Sequence, residues 1–291
     1  MARIALAGNP SDGYGGAVLA TTFADFSAVA EARPGSALEV EPESALVSAC
    51  VGRFARQLES AAATTSVSWH TSVPQGLGLG GSSAISIATL RSLCELYGIV
   101  VGPLELAALA TSVEREDLRI AGGREDQVVQ AHQGLLFMDF GSARYERLDA
   151  ALLPPMLIAL RPGAAQPSGV AHAPLHAAFA RGDAGVRAGI EELTSLAGEA
   201  REALLEHRHQ VFASCVDRTF DVRARIMRLD TRQVAMVSEA RELGLSANFT
   251  GSGGAIVCVC RDELHRAQAL EVLSARGYTA LAPRLGEGSD A

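Results

Sequence analysis

The chain has 291 residues, 48% of them apolar and 20% charged, with a formal net charge of -8. That composition excludes a disordered chain, and the length suffices for one large domain or two smaller ones without covalent staples. The acidic balance argues against a general nucleic-acid backbone binder. All 25 basic residues are arginine, which excludes a catalytic lysine, a Schiff base and the lysine of an ordinary phosphate loop.

"RIALAG", residues 3–8, reads as a short strand ending in the loop "NPSDGYGG". "ATTFADFSAVAEA" predicts one further strand, and residues 37–40 another. In "SALVSACVGRFARQLESAA", Leu46, Cys50, Phe54 and Leu58 recur at helical spacing. "TSVSWHTSV" is strand-like. Residues 82–97 predict a helix with Ile85, Ala88, Leu90, Leu93 and Leu96 on its apolar face, ended by Gly98. Pro103 opens the next helix, and "GLLFMDF" is a strand.

A seam near "ALLPPM" divides the chain into residues 1–153 and 154–291. Beyond it, "MLIALRP" predicts a strand, and helices follow over 173–196, 200–220 and 222–243. "SANFTGSGGAIVCVC" is a glycine turn entering a strand, "DELHRAQALEVLSARG" a last helix and "YTALAPRL" a last strand. The pattern predicts an α+β layer architecture. Cys258 and Cys260 alternate in an apolar run and read as buried small side chains, not as a redox or metal pair. "MARIALAGNPSD" does not read as a signal peptide and no apolar run reaches membrane-spanning length, so a cytoplasmic setting without a membrane partner is expected.

The stretch "VPQGLGLGGSSA" precedes the helix at residue 82. Gly76, Gly78 and Gly81 match G-x-G-x-x-G, but no acidic residue ends a second strand about 20 residues on, as a dinucleotide fold requires. A helix N-terminus offers unpaired amides and partial positive charge to an anion, and Ser82 and Ser83 offer a cap or hydroxyls. A phosphate cradle and a mere tight turn with a capping serine both fit these residues. Further on, "SVEREDLRIAGGREDQVVQ" carries Glu114, Glu116, Asp117, Glu125 and Asp126. Most read as a solvated face. Asp126 follows two glycines and precedes an apolar segment, so it is expected in a cleft. Glu114 and Asp126 suit the two carboxylate roles of a phosphoryl-transfer site, one at a metal ion and one at the acceptor hydroxyl.

Taken in order, "RIALAGNPSDGYGG", "PQGLGLGGSSA" and "FTGSGGAIV" resemble the three motifs of the GHMP small-molecule kinases, the family of galactokinase and of the homoserine, mevalonate and phosphomevalonate kinases. The resemblance spans residues 1–282. The stretches "LAGNPSDGYGG", "LGGSSAISIATLR", "REDLRIAGGREDQVVQAHQGLLFMDF", "FDVRARI" and "ANFTGSGGA" are most similar to the glucuronokinase branch, which shares "NPSD" in the first motif. The resemblance implies a two-domain α+β fold, with an N-terminal half like ribosomal protein S5 domain 2 and a ferredoxin-like C-terminal half. It implies ATP and Mg²⁺, and a sugar-acid acceptor phosphorylated at its anomeric hydroxyl, D-glucuronate first among them.

Residue by residue, it implies that Gly76, Gly78, Leu79, Gly80, Gly81, Ser82 and Ser83 wrap the ATP phosphates, with Gly253 from the third motif. Ser83 and Glu114 stand at the metal positions, Asp126 at the catalytic aspartate, and Arg3 at the basic position of the first motif. Asp12 matches a sugar-contacting aspartate, and Gly251 and Ser252 close on the acceptor. Tyr14 and Ser168 are candidate hydroxyl contacts. An acceptor carboxylate needs an arginine; Arg161, Arg223 and Arg225 are candidates, and Arg223 is preferred because 223 and 225 do not share a helix face. The other readings are a GHMP-fold kinase for a neutral sugar, a heptose or a mevalonate-like acid, and a non-catalytic nucleotide- or sugar-binding protein. Oligomeric state is not legible in the sequence.

Overall fold

The structure, a computed structural model, describes residues 1–120, 122–161, 163 and 168–285, the side chains of 168–172 excepted. In the first half the chain runs β1 (Ala2–Ala7), β2 (Ala17–Phe23), β3 (Ala28–Pro34), β4 (Glu39–Glu41), α1 (Ala45–Gln57), β5 (Thr65–Thr71), α2 (Gly81–Tyr97) and α3 (Pro103–Ser112). Then come α4 (Glu125–His132), β6 (Leu135–Asp139) and β7 (Arg144–Leu148). The second half has β8 (Met156–Leu160), α5 (Ser168–Ala180), α6 (Ala184–Leu205), α7 (His209–Ile226) and α8 (Thr231–Glu242), then β9 (Ser246–Phe249), β10 (Ala255–Val259), α9 (Glu263–Ala275) and β11 (Thr279–Leu281).

Three sheets result among the described residues. The first has the order β1-β2-β6-β7 and is antiparallel throughout, with Ile4 opposite Thr21, Leu19 opposite Phe137 and Phe137 opposite Glu146. The second sets β5 between β3, antiparallel, and β4, parallel. The third has the order β11-β8-β10-β9, antiparallel throughout. Strand, helices, two strands, helix and strand in that sheet order make the second half ferredoxin-like, and the whole is the two-part α+β fold that the sequence predicts. The chain leaves the first sheet for the third between β7 and β8, and the apolar core spans both sheets.

Period-2 alternation explains the layering. On β2, Ala17 and Leu19 enter one core while Val18 and Ala20 enter another; on β6, Leu135 and Phe137 part from Leu136 and Met138 in the same way. On β8, Met156, Ile158 and Leu160 join the first core, and Leu157 and Ala159 a third one with Cys258 and Cys260. Leu193 and Ala197 of α6 and Phe212 and Cys215 of α7 fill the first core. The two helices therefore lie between the first and third sheets, and weld the halves together.

Several elements differ from expectation. Residues 17–34 form two strands, β2 and β3, because Asp25–Ser27 turns without glycine or proline. β7 was not expected: "RYERL" is polar and only Leu148 is fully buried. The C-terminal helices break at other places. Gly182 adopts a left-handed φ of 80° and Asp183 caps α6 by accepting from Val186 N at 3.0 Å, so α5 and α6 are separate. Neither serine caps α2: its N-cap is Gly80, at φ 70°, with no side-chain cap. Among the described residues no helix is long and apolar enough to cross a membrane.

Two glycines of α6 give opposite predictions. A Cβ at Gly189 would sit 2.6 Å from Ile226 Cγ2 of α7, whereas one at Gly198 meets nothing within 4 Å. Gly189→Val is expected to cost about 2 kcal/mol or more by overpacking. Gly198→Ala is expected to gain about 0.5–1 kcal/mol from helix propensity. Urea midpoints that move the same way for both variants contradict this packing.

Candidate active site

β1 lies at a sheet edge, yet its outer amides do not face water. Arg3 N donates to Leu79 O at 3.1 Å and Ala5 N to Thr250 O at 3.0 Å. The glycine loop and the β9–β10 turn are thereby pinned to one strand, and a cleft of about 420 Å³ opens beside them.

The Arg3 side chain, 5% exposed, projects from that strand into the junction. Its Nε donates to Asp126 Oδ1 at 2.6 Å and its Nη2 to Asp126 Oδ2 at 3.0 Å. Nη1 donates to Gly78 O and to Thr250 O, both at 2.6 Å. Burial opposes the guanidinium charge, but Asp126 and Glu125 beside it raise its pKa above the ordinary arginine value. The strand, not the chain terminus, sets the position of Arg3.

The glycine loop faces the cleft with Gly76, Gly78, Leu79, Gly80, Gly81 and Ser82. Gly78 has φ 66°, and a Cβ there would stand 2.9 Å from Gly253 O and from Ser252 N. The two glycine motifs thus touch backbone to backbone, and Thr250 Oγ1 donates to Gly78 O at 2.8 Å. Gly251 and Ser252 line the cleft. Gly253 is absent from the lining and packs against Gly78 and Gln233 instead.

Ser83 departs from expectation. Its Oγ donates back to Gly80 O at 3.1 Å, and the residue is fully buried outside the cleft lining. The serine that reaches Glu114 is Ser82, whose Oγ donates to Glu114 Oε1 at 2.9 Å. Glu114 sits in a π-helical turn, Val113–Asp117, that continues α3. Gln127 Nε2 donates to its other oxygen at 2.6 Å. Burial above all pushes the Glu114 carboxyl up to about 7, against the hydrogen bond from Ser82 and with the repulsion of Asp126.

Asp12 lines the cleft and caps α4 from a distance. Its Oδ2 accepts from Arg124 N at 2.7 Å and Glu125 N at 3.0 Å, satisfying amides that α4 leaves unpaired. Gly123 allows this approach, since a Cβ there would collide with the Asp12 carboxylate. Burial raises the pKa of Asp12. Capped in this way, α4 presents Asp126 to Arg3 and the cleft, with 30% of the Asp126 side chain exposed.

Asn9, Tyr14, His176 and Arg223 also line the cleft. Tyr14 packs on His176 and Phe179, at ring-centroid distances of 4.9 and 4.5 Å, and its buried Oη has no partner among the described residues. Arg223, 1% exposed, donates through Nη2 to Gly251 O at 2.6 Å and through Nη1 to Phe249 O at 3.3 Å. Its Nε has no hydrogen-bond partner among the described residues. Burial brings its pKa down to about 10, helped by Arg3 and opposed by Glu125. Arg161 lies elsewhere, over the ring of Tyr278, and Arg225 pairs with Glu192 at the surface. The Ser168 side chain falls outside the described residues.

Sequence reasoning missed Glu125, Gln127, Gln130 and Thr250. Gln130 Nε2 donates to Gly80 O at 2.9 Å and to Met1 O at 3.0 Å, steadying the loop and the first strand. Their one signal is adjacency to Asp126 and to the third glycine motif.

The residues present fit a nucleotide tail and a magnesium ion. The first turn of α2 meets the cleft without a side-chain cap, and Gly80 and Gly81 leave its amides open to an anion. Glu114 and Ser82 are hard oxygen donors, and no arginine within ion-pair distance of Glu114 is found among the described residues. Among the described residues no cluster of three or more His, Cys, Asp or Glu that could cage a metal is found; magnesium usually takes one or two carboxylates and completes its shell with phosphate and water.

The model of the GHMP kinases N terminal domain matches residues 45–134, and that of the GHMP kinases C terminal matches residues 200–279, together more than half of the chain. Glucuronokinase 1 of Arabidopsis thaliana is 29% identical over 93% of this chain and 86% of its own. D-glycero-alpha-D-manno-heptose 7-phosphate kinase of Campylobacter jejuni is 43% identical over 26% of this chain and 23% of its own. The crystal structure of Lactococcus lactis galactokinase with galactose has a TM-score of 0.78 at 14% identity, over 99% of this chain and 92% of that one, which shows a shared fold. With both family halves matched in order around one cleft, the chain belongs to the GHMP kinase family and is an ATP-dependent small-molecule phosphotransferase.

Proposed function

We propose that this kinase phosphorylates a sugar acid, with D-glucuronate as the first candidate and the anomeric hydroxyl as the position. The observation that carries the reading is the shared cleft: the uncapped start of α2 faces the same space as Asp126, which Arg3 holds by two hydrogen bonds. The ATP phosphates lie along Gly76–Ser82, with the first-turn amides of α2 and its dipole on their charge. Glu114 and the Ser82 hydroxyl would hold Mg²⁺, which when bound would neutralise charge on the phosphates. Ser83 supports this loop through its bond to Gly80 O.

The acceptor oxygen attacks the γ-phosphorus in line, the bond to the ADP oxygen breaks, and the hydroxyl proton passes to Asp126. Arg3 fixes the plane of that carboxylate. Asp12, through its cap, sets the angle at which α4 delivers it. Transfer is direct, because alignment and charge stabilisation are the main demands.

Arg223 supports an acidic acceptor. It is a buried cation in the lining of the cleft, its Nε has no hydrogen-bond partner, and no carboxylate lies within ion-pair distance of it among the described residues. The full-length resemblance to Glucuronokinase 1 of Arabidopsis thaliana supports the same acceptor. A second reading, a neutral sugar or heptose acceptor, is favoured by the local identity to the Campylobacter jejuni heptose kinase and by the carbonyls that already engage two nitrogens of Arg223.

Asp126→Asn is expected to lower kcat by about 10²–10⁴-fold while ATP affinity stays within about threefold; full turnover removes the role from Asp126. Arg3→Lys gives one ammonium where a planar fork served three partners, and a kcat loss of about 10²-fold with a lower melting temperature is expected. An ADP-release screen over uronates, neutral sugars and heptoses, with phosphorus NMR to fix the position, decides the acceptor. If the acid reading is right, Arg223→Met raises KM for D-glucuronate by about tenfold or more. Equal turnover of D-glucose and D-glucuronate by the parent enzyme contradicts it.

A further inference from the structure

Glu125 has no role in the proposal above. It is 5% exposed and lines the cleft. Its Oε1 is buried and has no hydrogen-bond partner among the described residues. The nearest cation, Arg3 Nε, stands 3.7 Å away and already donates to Asp126 Oδ1 at 2.6 Å. A buried polar atom without a partner is costly, and such atoms are retained where a ligand completes them.

Four charged groups act on Glu125: Arg3 from β1, Asp126 from its own helix, Asp12 from the first loop and Arg223 from α7. Burial, then Asp126 and Asp12, push its carboxyl well above the usual carboxylate range, against the pull of Arg3 and Arg223. The neutral acid can donate a hydrogen bond as well as accept one. Glu125 and Asp126 are consecutive at the start of α4, and Arg3 Nε lies within reach of both. Their two oxygens are thus no further apart than spans of 2.6 and 3.7 Å laid end to end. A separation within that bound can be met by two oxygens on adjacent ring carbons, each at hydrogen-bond length from its own carboxyl group.

We propose that Glu125 is a specificity-determining residue that hydrogen-bonds the acceptor hydroxyl next to the phosphorylated one, so that the site selects a vicinal diol over an isolated alcohol. This rests on the acceptor reading above, under which the hydroxyl in question is that of carbon 2.

The test is a substrate–mutant cycle with D-glucuronate and its 2-deoxy analogue on wild type, Glu125→Met and Glu125→Gln. Wild type is expected to lose about tenfold in kcat/KM on the deoxy analogue. Glu125→Met is expected to raise KM for D-glucuronate about tenfold, leave KM for ATP unchanged and lose no more on the deoxy analogue. Glu125→Gln, which keeps the polar tip, stays within about threefold of wild type and remains sensitive to the deoxy change. If the methionine variant does not fold, the glutamine variant decides: a loss above about tenfold, or no sensitivity to the deoxy change, overturns the proposal. An equal deoxy penalty in wild type and Glu125→Met, an unchanged KM for D-glucuronate, or a KM for ATP that rises in step also overturns it, and leaves the acceptor reading standing. No turnover of D-glucuronate by wild type overturns the acceptor reading and this proposal together.

Discussion

One buried guanidinium holds the cleft together. Arg3 engages the carboxylate at the start of α4, a carbonyl of the glycine loop and a carbonyl of the β9–β10 turn, three segments separated by 75 to 247 positions from it. A charge that is 5% exposed is tolerated only when it is paired and fully hydrogen-bonded. The arrangement therefore stands or falls as a unit, because loss of any partner leaves the others facing an unmet cation. A planar fork can serve three partners at fixed angles, which an ammonium cannot. In a chain without lysine, arginine is the one strong cation available for this position.

The same economy governs the acids. Asp12, Glu114, Glu125 and Asp126 line one cleft, and Arg3 and Arg223 are the arginines that line it with them among the described residues. Burial and mutual repulsion raise the pKa of Asp12, Glu114 and Glu125. Each is steadied differently: Asp12 by two backbone amides, Glu114 by Ser82 and Gln127, Asp126 by Arg3. Glu125 has the least support, and Arg223 has carbonyls in place of a counter-ion. Unmet demand is thus concentrated at Glu125 and Arg223, where the proposed substrate would bring both a carboxylate and hydroxyls.

Much of this was legible in the chain. The glycine entry and Gly98 exit of α2, the proline start of α3 and the last helix, α9, were read correctly. β7 was missed because a mostly polar strand at a sheet edge has no apolar alternation to read. Ser82 and Ser83 look interchangeable in sequence, but one helical step rotates the first toward Glu114 and the second back to Gly80 O. Glu125 was hidden in a run of acids. Its backbone amide donates to Asp12, more than a hundred residues away in the chain, a contact with no local signal. The convergence on Arg3 had a local trace only in its own strand.

The central claim is that the start of α2 and the carboxylate of Asp126 face one reaction space. A crystal structure with a non-hydrolysable ATP analogue, Mg²⁺ and D-glucuronate tests it most directly. The account predicts the γ-phosphoryl group against the Gly80–Ser82 amides, with an acceptor hydroxyl between it and Asp126. A nucleotide bound with its phosphates away from α2, or an acceptor that leaves Asp126 without contact, would contradict it.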